Sequence, residues 1–274
     1  FQAVDDDPAI VAAAASGSLR RMTYGQLRAL TSRLSNGLRA AGFGPGDSVA
    51  IVMPMTVESV AIYLGIVQAG CEVVSIADSF AAPEIRTRLR IAGAKGVFTV
   101  GHAVRAGKHL PIYKKVVAAE APRAVVLGPI QDNAVSLREG DLWWEDFLSG
   151  DREFNACGCS PEDCINVLFS SGTTGEPKAI PWDHTTPIRC AADGYLHHDI
   201  HAGDVVVWPT NLGWMMGPWL IFATLINRGT IGLYEDVPTG RGFGRFVEQV
   251  RVNMLGVVPT LVRAWRQSGC MEGL

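Results

Sequence analysis

Residues 48–100 alternate short apolar runs with helical ones, and this alternation restricts the fold more than any other feature of the chain. Residues 48–53 (with Val49, Ala50, Ile51 and Val52) read as a buried strand, 57–69 as a helix apolar nearly all round that stops at Gly70, and 73–76 as the next strand. Residues 83–91 read as another helix, with Arg86, Arg88 and Arg90 on its wetter side, and 97–100 as a further strand. Continuous apolar strands separated by helices belong to a parallel sheet covered by helices, an α/β architecture. Upstream, 8–15 and 19–23 flank the turn Ser16-Gly17 and suggest a hairpin, although the alanine run also suits a helix. Thr23 then stands as an N-cap with Gln26 in capping-box position, and Leu27, Leu30, Leu34 and Leu38 follow at helical steps that end near Gly42.

The pattern loosens over 101–158, where a strand at 123–127 and a short helix at 142–148, its aromatics packed on the sheet, are the firmest features. Residues 151–163 form a polar connector to an apolar strand at 165–169. Beyond it, 180–182 continue extended and 185–195 read as a helix. Strands are expected at 205–208, 230–234 and 255–258, with helices at 219–226, 243–251 and 261–267.

Composition narrows the function classes. With 274 residues and 48% hydrophobic residues the chain can build a sizeable core, as one large domain or two small ones. Net charge is −3, and no basic block argues for nucleic acid. The acidic run Asp5-Asp6-Asp7 suits a solvated turn. The six cysteines lack the dense, regular spacing of a secreted disulfide scaffold and point to reduced thiols in a reducing compartment. Cys157, Cys159 and Cys164 lack the paired spacing of a zinc knuckle, so no metal is expected there. No stretch reaches the roughly 18 apolar residues of a membrane span. The sequence begins at Phe1 rather than methionine, so it is expected to be a fragment, and targeting signals missing from its ends carry no weight.

Chemistry concentrates in Leu168-Phe169-Ser170-Ser171-Gly172-Thr173-Thr174-Gly175-Glu176-Pro177-Lys178. An apolar strand opens into small and hydroxylic residues and closes on a proline and a lysine. Glycines free the backbone there, and exposed N–H groups with the hydroxyls of Ser170, Ser171, Thr173 and Thr174 form a cradle for phosphate oxygens. Lys178 adds a mobile cation. Gly172 and Gly175 are too close for a P-loop, and Ala179 follows the lysine where that motif needs Ser or Thr. Short Gly/Ser/Thr clusters also make ordinary surface turns. Of the histidines, His184, six residues past Lys178, is a candidate polar contact near whatever the phosphate cradle binds, whereas His197, His198 and His201 read as part of a solvated linker.

The eleven residues resemble the phosphate-binding signature of the adenylate-forming (AMP-binding) enzymes, which include acyl-CoA synthetases, nonribosomal-peptide adenylation domains and luciferases. The family usually has glycine where this chain has Ala179. Three earlier segments look like its early blocks in the same order: Met22 to Leu27, Pro45 to Ile51, and Gly65 to Gly70. Pro209-Thr210-Asn211-Leu212-Gly213-Trp214-Met215-Met216-Gly217-Pro218 resembles its acyl-site block, in the tryptophan form of the acetyl-CoA synthetase-like and plant acyl-activating branch. The Val258-Pro259-Thr260 corner matches as well.

The resemblance implies stacked, mostly parallel sheets flanked by helices, the incomplete N-terminal part of the adenylation domain over 1–274. It implies a ligase that joins a carboxylic acid to CoA through an acyl-adenylate, with ATP, Mg2+ and CoA as co-substrates. Ser170, Ser171, Gly172, Thr173, Thr174, Gly175 and Lys178 would hold the ATP phosphates. Trp214, Met215 and Met216 would line the acyl pocket, their bulk favouring a short or flat acid. The family's catalytic lysine belongs to a C-terminal domain, so no catalytic residue is assigned here and this chain alone is expected to be slow or inactive. The alternatives are a non-catalytic short isoform with weak nucleotide binding, or an adenylation domain that feeds a carrier protein. The cellular address is expected to be peroxisome or cytoplasm.

Overall fold

The computed structural model describes residues 4–14, 17–128, 135–170 and 175–274. The chain opens with β1 (Pro8–Ala13) and β2 (Leu19–Thr23), paired antiparallel as the hairpin reading expects. Helix α1 (Tyr24–Ala40) follows. The Thr23 hydroxyl accepts from the Gln26 N–H at 3.3 Å and the Gln26 side chain accepts from the Thr23 N–H at 3.0 Å, which closes the capping box. Then come β3 (Ser48–Val52), α2 (Val57–Gln68), β4 (Glu72–Ser75), α3 (Ala82–Ala92) and β5 (Gly96–Val100). The loosely patterned stretch holds β6 (Ala103–Arg105), β7 (Lys108–Leu110), α4 (Ile112–Ala118), β8 (Ala124–Leu127), β9 (Leu142–Trp143) and α5 (Trp144–Phe147).

The last part comprises β10 (Cys164–Ser170), β11 (Lys178–Asp183), α6 (Thr186–His198), β12 (Val205–Val207), α7 (Met216–Leu225) and β13 (Thr230–Tyr234). It ends with α8 (Arg241–Gln249), β14 (Met254–Leu255) and α9 (Pro259–Ser268).

Two sheets stack with helices between and outside them. The larger runs β11-β10-β4-β3-β5-β8-β9, and each neighbouring pair is parallel except β10 with β11. The second runs β14-β12-β13-β1-β2, parallel except for the β1–β2 hairpin. Successive side chains of a strand face opposite ways, which sorts the core into layers. Val49 and Ile51 of β3 face α1, α2 and α7 in the central layer, which also receives Ile10, Ile231 and Leu233 from the second sheet. Ala50 and Val52 face the outer layer under α3 and α4. Val11, Ala13 and Val207 face α8 and α9 through Phe243, Phe246 and Trp265. Enclosure on every side explains why α2 is apolar nearly all round.

Three readings need correction. Arg88 does not share the wet face of α3 with Arg86 and Arg90: it is 7% exposed, and its guanidinium lies 3.9 Å from the Phe80 ring centroid. His197 and His198 form the last turn of α6 rather than a linker, and Ile200 just beyond is fully buried. The β6–β7 hairpin and α4 arise where the sequence suggested nothing regular.

Candidate functional site

A cleft of about 560 Å3 opens where the carboxyl ends of the two sheets face each other. Pro54 and Met55 follow β3, Asp78 and Ser79 follow β4, Trp208 and Pro209 follow β12, and Glu235 and Asp236 follow β13; all line it. Parallel sheets place ligands at this end of their strands, where loops diverge.

A buried polar hub organises the cleft. Asp78 has a side chain 2% exposed and receives two bonds from Arg105 Nη2, at 3.1 and 2.8 Å. Asn211 Nδ2 donates to the same carboxylate at 3.1 Å and to the Met53 carbonyl at 3.2 Å. Lys115 Nζ donates to the Asp78 carbonyl at 2.9 Å. The Asn211 side-chain oxygen accepts from the Gly213 N–H at 2.9 Å, and Gly213 itself lies flat on β4's continuation: a Cβ there would stand 2.1 Å from the Ala77 nitrogen. Segment 211–216 is thereby pinned across the ends of β3 and β4.

The pinning brings Trp214, Met215 and Met216 together in the cleft wall. Trp214 is 52% and Met215 58% exposed, while Met216 is half-buried against the central core. The Trp214 ring leans on Phe80, with centroids 5.9 Å apart. Methionines give such a wall an apolar, adaptable surface. On the opposite side Glu235 is half-buried. Burial pushes its carboxyl above the usual range and the Glu58 charge adds to this, with Arg20 opposing.

The phosphate-loop candidates sit on the neighbouring strand. Ser170 ends β10 and lies directly across the antiparallel ladder from Lys178 of β11, which is exposed. Gly175 adopts φ +96°, a left-handed conformation that glycine takes without strain. Glu176 forms an ion pair with Arg90 at 2.6 Å, fastening the far side of the turn to α3. Ser171, Gly172, Thr173 and Thr174 lie outside the described residues. β10 pairs parallel with β4, Val167 opposite Val74, so Ser170 and Asp78 leave the larger sheet at the same edge. Ser170 and Lys178 do not line the cleft itself.

His184 is at the wrong end for a nucleotide contact. It follows Asp183, which pairs with Cys164 at the amino end of β10, six residues along the strand from Ser170. At about 3.4 Å per residue that is on the order of 20 Å. Of the two α6 histidines, His197 is exposed and His198 packs locally: its ring stands edge-on to Trp219 at 5.0 Å, and the Trp219 indole N–H donates to Asp193 at 2.9 Å. Among the described residues no group of three or more His, Cys, Asp or Glu is placed to hold a metal, and the six cysteines are free thiols. Asp78, Arg105 and Asn211 were not singled out as site residues from the sequence, where nothing marks them as partners.

Comparison with known proteins supplies the context for this geometry. The chain is 50% identical over 261 residues to a hexanoyl-CoA synthase of Cannabis sativa, covering 93% of this chain and 36% of that protein. It is 49% identical over 265 residues to the probable peroxisomal acyl-activating enzyme 18 of Arabidopsis thaliana, again over 93% of this chain and 36% of the relative. The chain thus spans a little over a third of the length of these relatives. The structure superimposes on an acetoacetyl-CoA synthetase from Streptomyces lividans with a TM-score of 0.88 at 27% identity, over 96% of this chain and 42% of that one. The sequence model of the AMP-binding enzyme family matches residues 2–272. The chain therefore belongs to the AMP-binding enzyme family.

Proposed function

We propose that residues 1–274 are the front part of the adenylation domain of an ATP-dependent carboxylic acid–CoA ligase. The observation that carries this reading is the placement of the Trp214–Met216 wall at the same sheet edge as Ser170, where the phosphate-loop strand ends. A carboxylate oxygen attacks the α-phosphorus of ATP, forming an acyl-phosphate bond and breaking the α–β anhydride, and pyrophosphate leaves. The CoA thiol then attacks the acyl carbon, AMP leaves with the C–O bonding pair, and the thiol proton passes to solvent.

In the first step Ser170, Ser171, Gly172, Thr173, Thr174 and Gly175 hold the β- and γ-phosphates, and Lys178 offsets their charge. Trp214, Met215 and Met216 orient the acid. Such a step gains from positioning and from charge neutralisation. Among the described residues no cluster of three His, Cys, Asp or Glu is placed to hold Mg2+; Mg2+ carried on the ATP phosphates would supply further charge neutralisation.

The bulk of Met215 and Met216 favours a short or flat acid. The relatives' names support an acyl-CoA product and, for the Arabidopsis thaliana protein, a peroxisomal address, which we extend to this protein with the cytoplasm as the alternative. No helix of the described residues is long and apolar enough to cross a membrane. ATP–pyrophosphate exchange with a panel of short aliphatic and aromatic acids tests the reading. Acid-dependent exchange that falls at least tenfold in Lys178→Ala supports the ligase chemistry and means that residues 1–274 suffice for the first step, against the expectation of a slow or inactive chain; no exchange by the folded chain fits a front part that needs the rest of its domain. Acid-independent signal, or exchange indifferent to Lys178, contradicts the reading.

A further inference from the structure

The two halves of the site are joined by one buried cation. Arg88 of α3 is 7% exposed, and its guanidinium carbon lies 3.9 Å from the Phe80 ring centroid and 5.7 Å from that of Phe169. Phe169 precedes Ser170 at the end of the phosphate strand. Phe80 in turn touches Trp214 of the acid pocket, at 5.9 Å. An unbroken contact chain Phe169–Arg88–Phe80–Trp214 therefore runs between the two candidate substrate sites. A guanidinium suits this place because it is flat, permanently charged and stacks on aromatic faces, whereas an ammonium offers only a point charge.

Two further observations mark Arg88 as more than a packing residue. Its Nη1 donates to the Glu84 carbonyl at 2.9 Å, but its buried Nε has no hydrogen-bond partner among the described residues. An unsatisfied buried donor costs free energy and calls for an explanation beyond packing. In addition, α3 grips the phosphate turn twice, through Arg88 at Phe169 and through the Arg90–Glu176 pair beyond Gly175. The helix is thus fastened to both flanks of the turn and, through Phe80, to the acid-pocket wall.

We propose that Arg88 is a positioning residue that holds Trp214 in register with the phosphate strand and passes occupancy of the phosphate site to the acid pocket. Polyphosphate bound at the end of β10 draws the guanidinium toward it, because opposite charges attract and the burial of Arg88 leaves that charge less screened than a surface one. The Phe80 ring follows its cation, and Trp214 follows Phe80. This inference rests on the functional reading above, in which ATP binds at 170–178.

The test is an ATP titration of the 274-residue chain, read by calorimetry and by tryptophan emission, with Trp214→Phe identifying the part of the signal that belongs to Trp214. Wild type is expected to bind ATP with a Trp214-dependent emission change. Arg88→Met, which keeps much of the side-chain length but loses the charge, is expected to bind ATP several-fold more weakly at an unchanged thermal midpoint and to lose most of that emission change even at saturating ATP, and Arg88→Lys to recover part of both. An undiminished emission change in Arg88→Met overturns the inference. So does a loss of ATP affinity and of thermal midpoint together in both variants, the mark of a purely structural role. Calorimetry showing no ATP binding to wild type overturns the functional reading and this inference with it. Binding with no Trp214-dependent signal in wild type overturns this inference alone.

Discussion

Asn211 shows how one side chain sets the geometry of the cleft. Its amide ties Met53 beyond β3, Asp78 beyond β4 and the Gly213 N–H, so the Trp214 wall has a defined place on the larger sheet. Replacing it by leucine leaves the buried Asp78 carboxylate short of a donor and the Gly213 N–H unpaired. We expect Asn211→Leu to lose on the order of 2 kcal/mol in urea unfolding. Glu235 gives a prediction of opposite sign. Burial, aided by Glu58, raises its folded pKa, so its contribution is fully present below the unfolded value of about 4.3 and is lost as pH rises through the folded value. Glu235→Gln should therefore gain stability over wild type at pH 8 but not at pH 4, read from urea midpoints. The sequence singled out Ser170, Lys178 and Trp214 because they sit in contiguous motifs. It hid the hub, since Asp78 and Asn211 are 133 residues apart and meet through the stacking of two sheets, while Asp78 and Arg105 are 27 apart and meet through the β6–β7 hairpin.

Elements buried on both faces were the most readable. β3, β4 and β5 lie inside the larger sheet and carry continuous apolar runs, so their existence follows from composition alone. β6 and β7 have three residues each, and their pairing is a tertiary outcome that a short window does not reveal. Arg88 was readable on closer reasoning. Arg86 and Arg90, four residues apart, share a helical face, and a residue midway between them must point to the opposite side. Around α4 and β8, Asp141 makes a testable junction. Burial works to raise its pKa, but bonds from Arg138, Tyr113 and the Ala124 N–H outweigh this and leave it lowered. A lowered folded pKa gives stability present above the unfolded value of about 3.9 and lost as pH falls through the folded one. In Asp141→Asn the loss of stability between pH 5 and pH 3 should be shallower than in wild type, and stability at pH 7 should be lower, both measured by urea unfolding.

At the scale of the whole molecule, apolar surface is concentrated on α6. Ile188 is 69%, Tyr195 51% and Leu196 72% exposed along one side of the helix, and Ile180 on the edge strand β11 adds to it. β14, two residues long, is an edge strand of the second sheet, followed by the exposed Val257, Val258 and Val262. Open edges and contiguous apolar surface favour association. We expect the chain to self-associate with rising concentration in sedimentation velocity, and the double variant Ile188→Glu, Leu196→Glu to shift the distribution toward monomer. A wild-type chain that stays monomeric at high concentration would contradict this.

The central claim is that the phosphate strand and the Trp214 block form one site at the shared sheet edge. Amide hydrogen exchange of the chain, alone and with ATP plus hexanoate, tests it most directly. The account predicts new protection confined to peptides spanning 168–180 and 209–217, with both responding when the two compounds are present together. Protection confined to other surfaces, or none in either segment at saturating ligand, would contradict it.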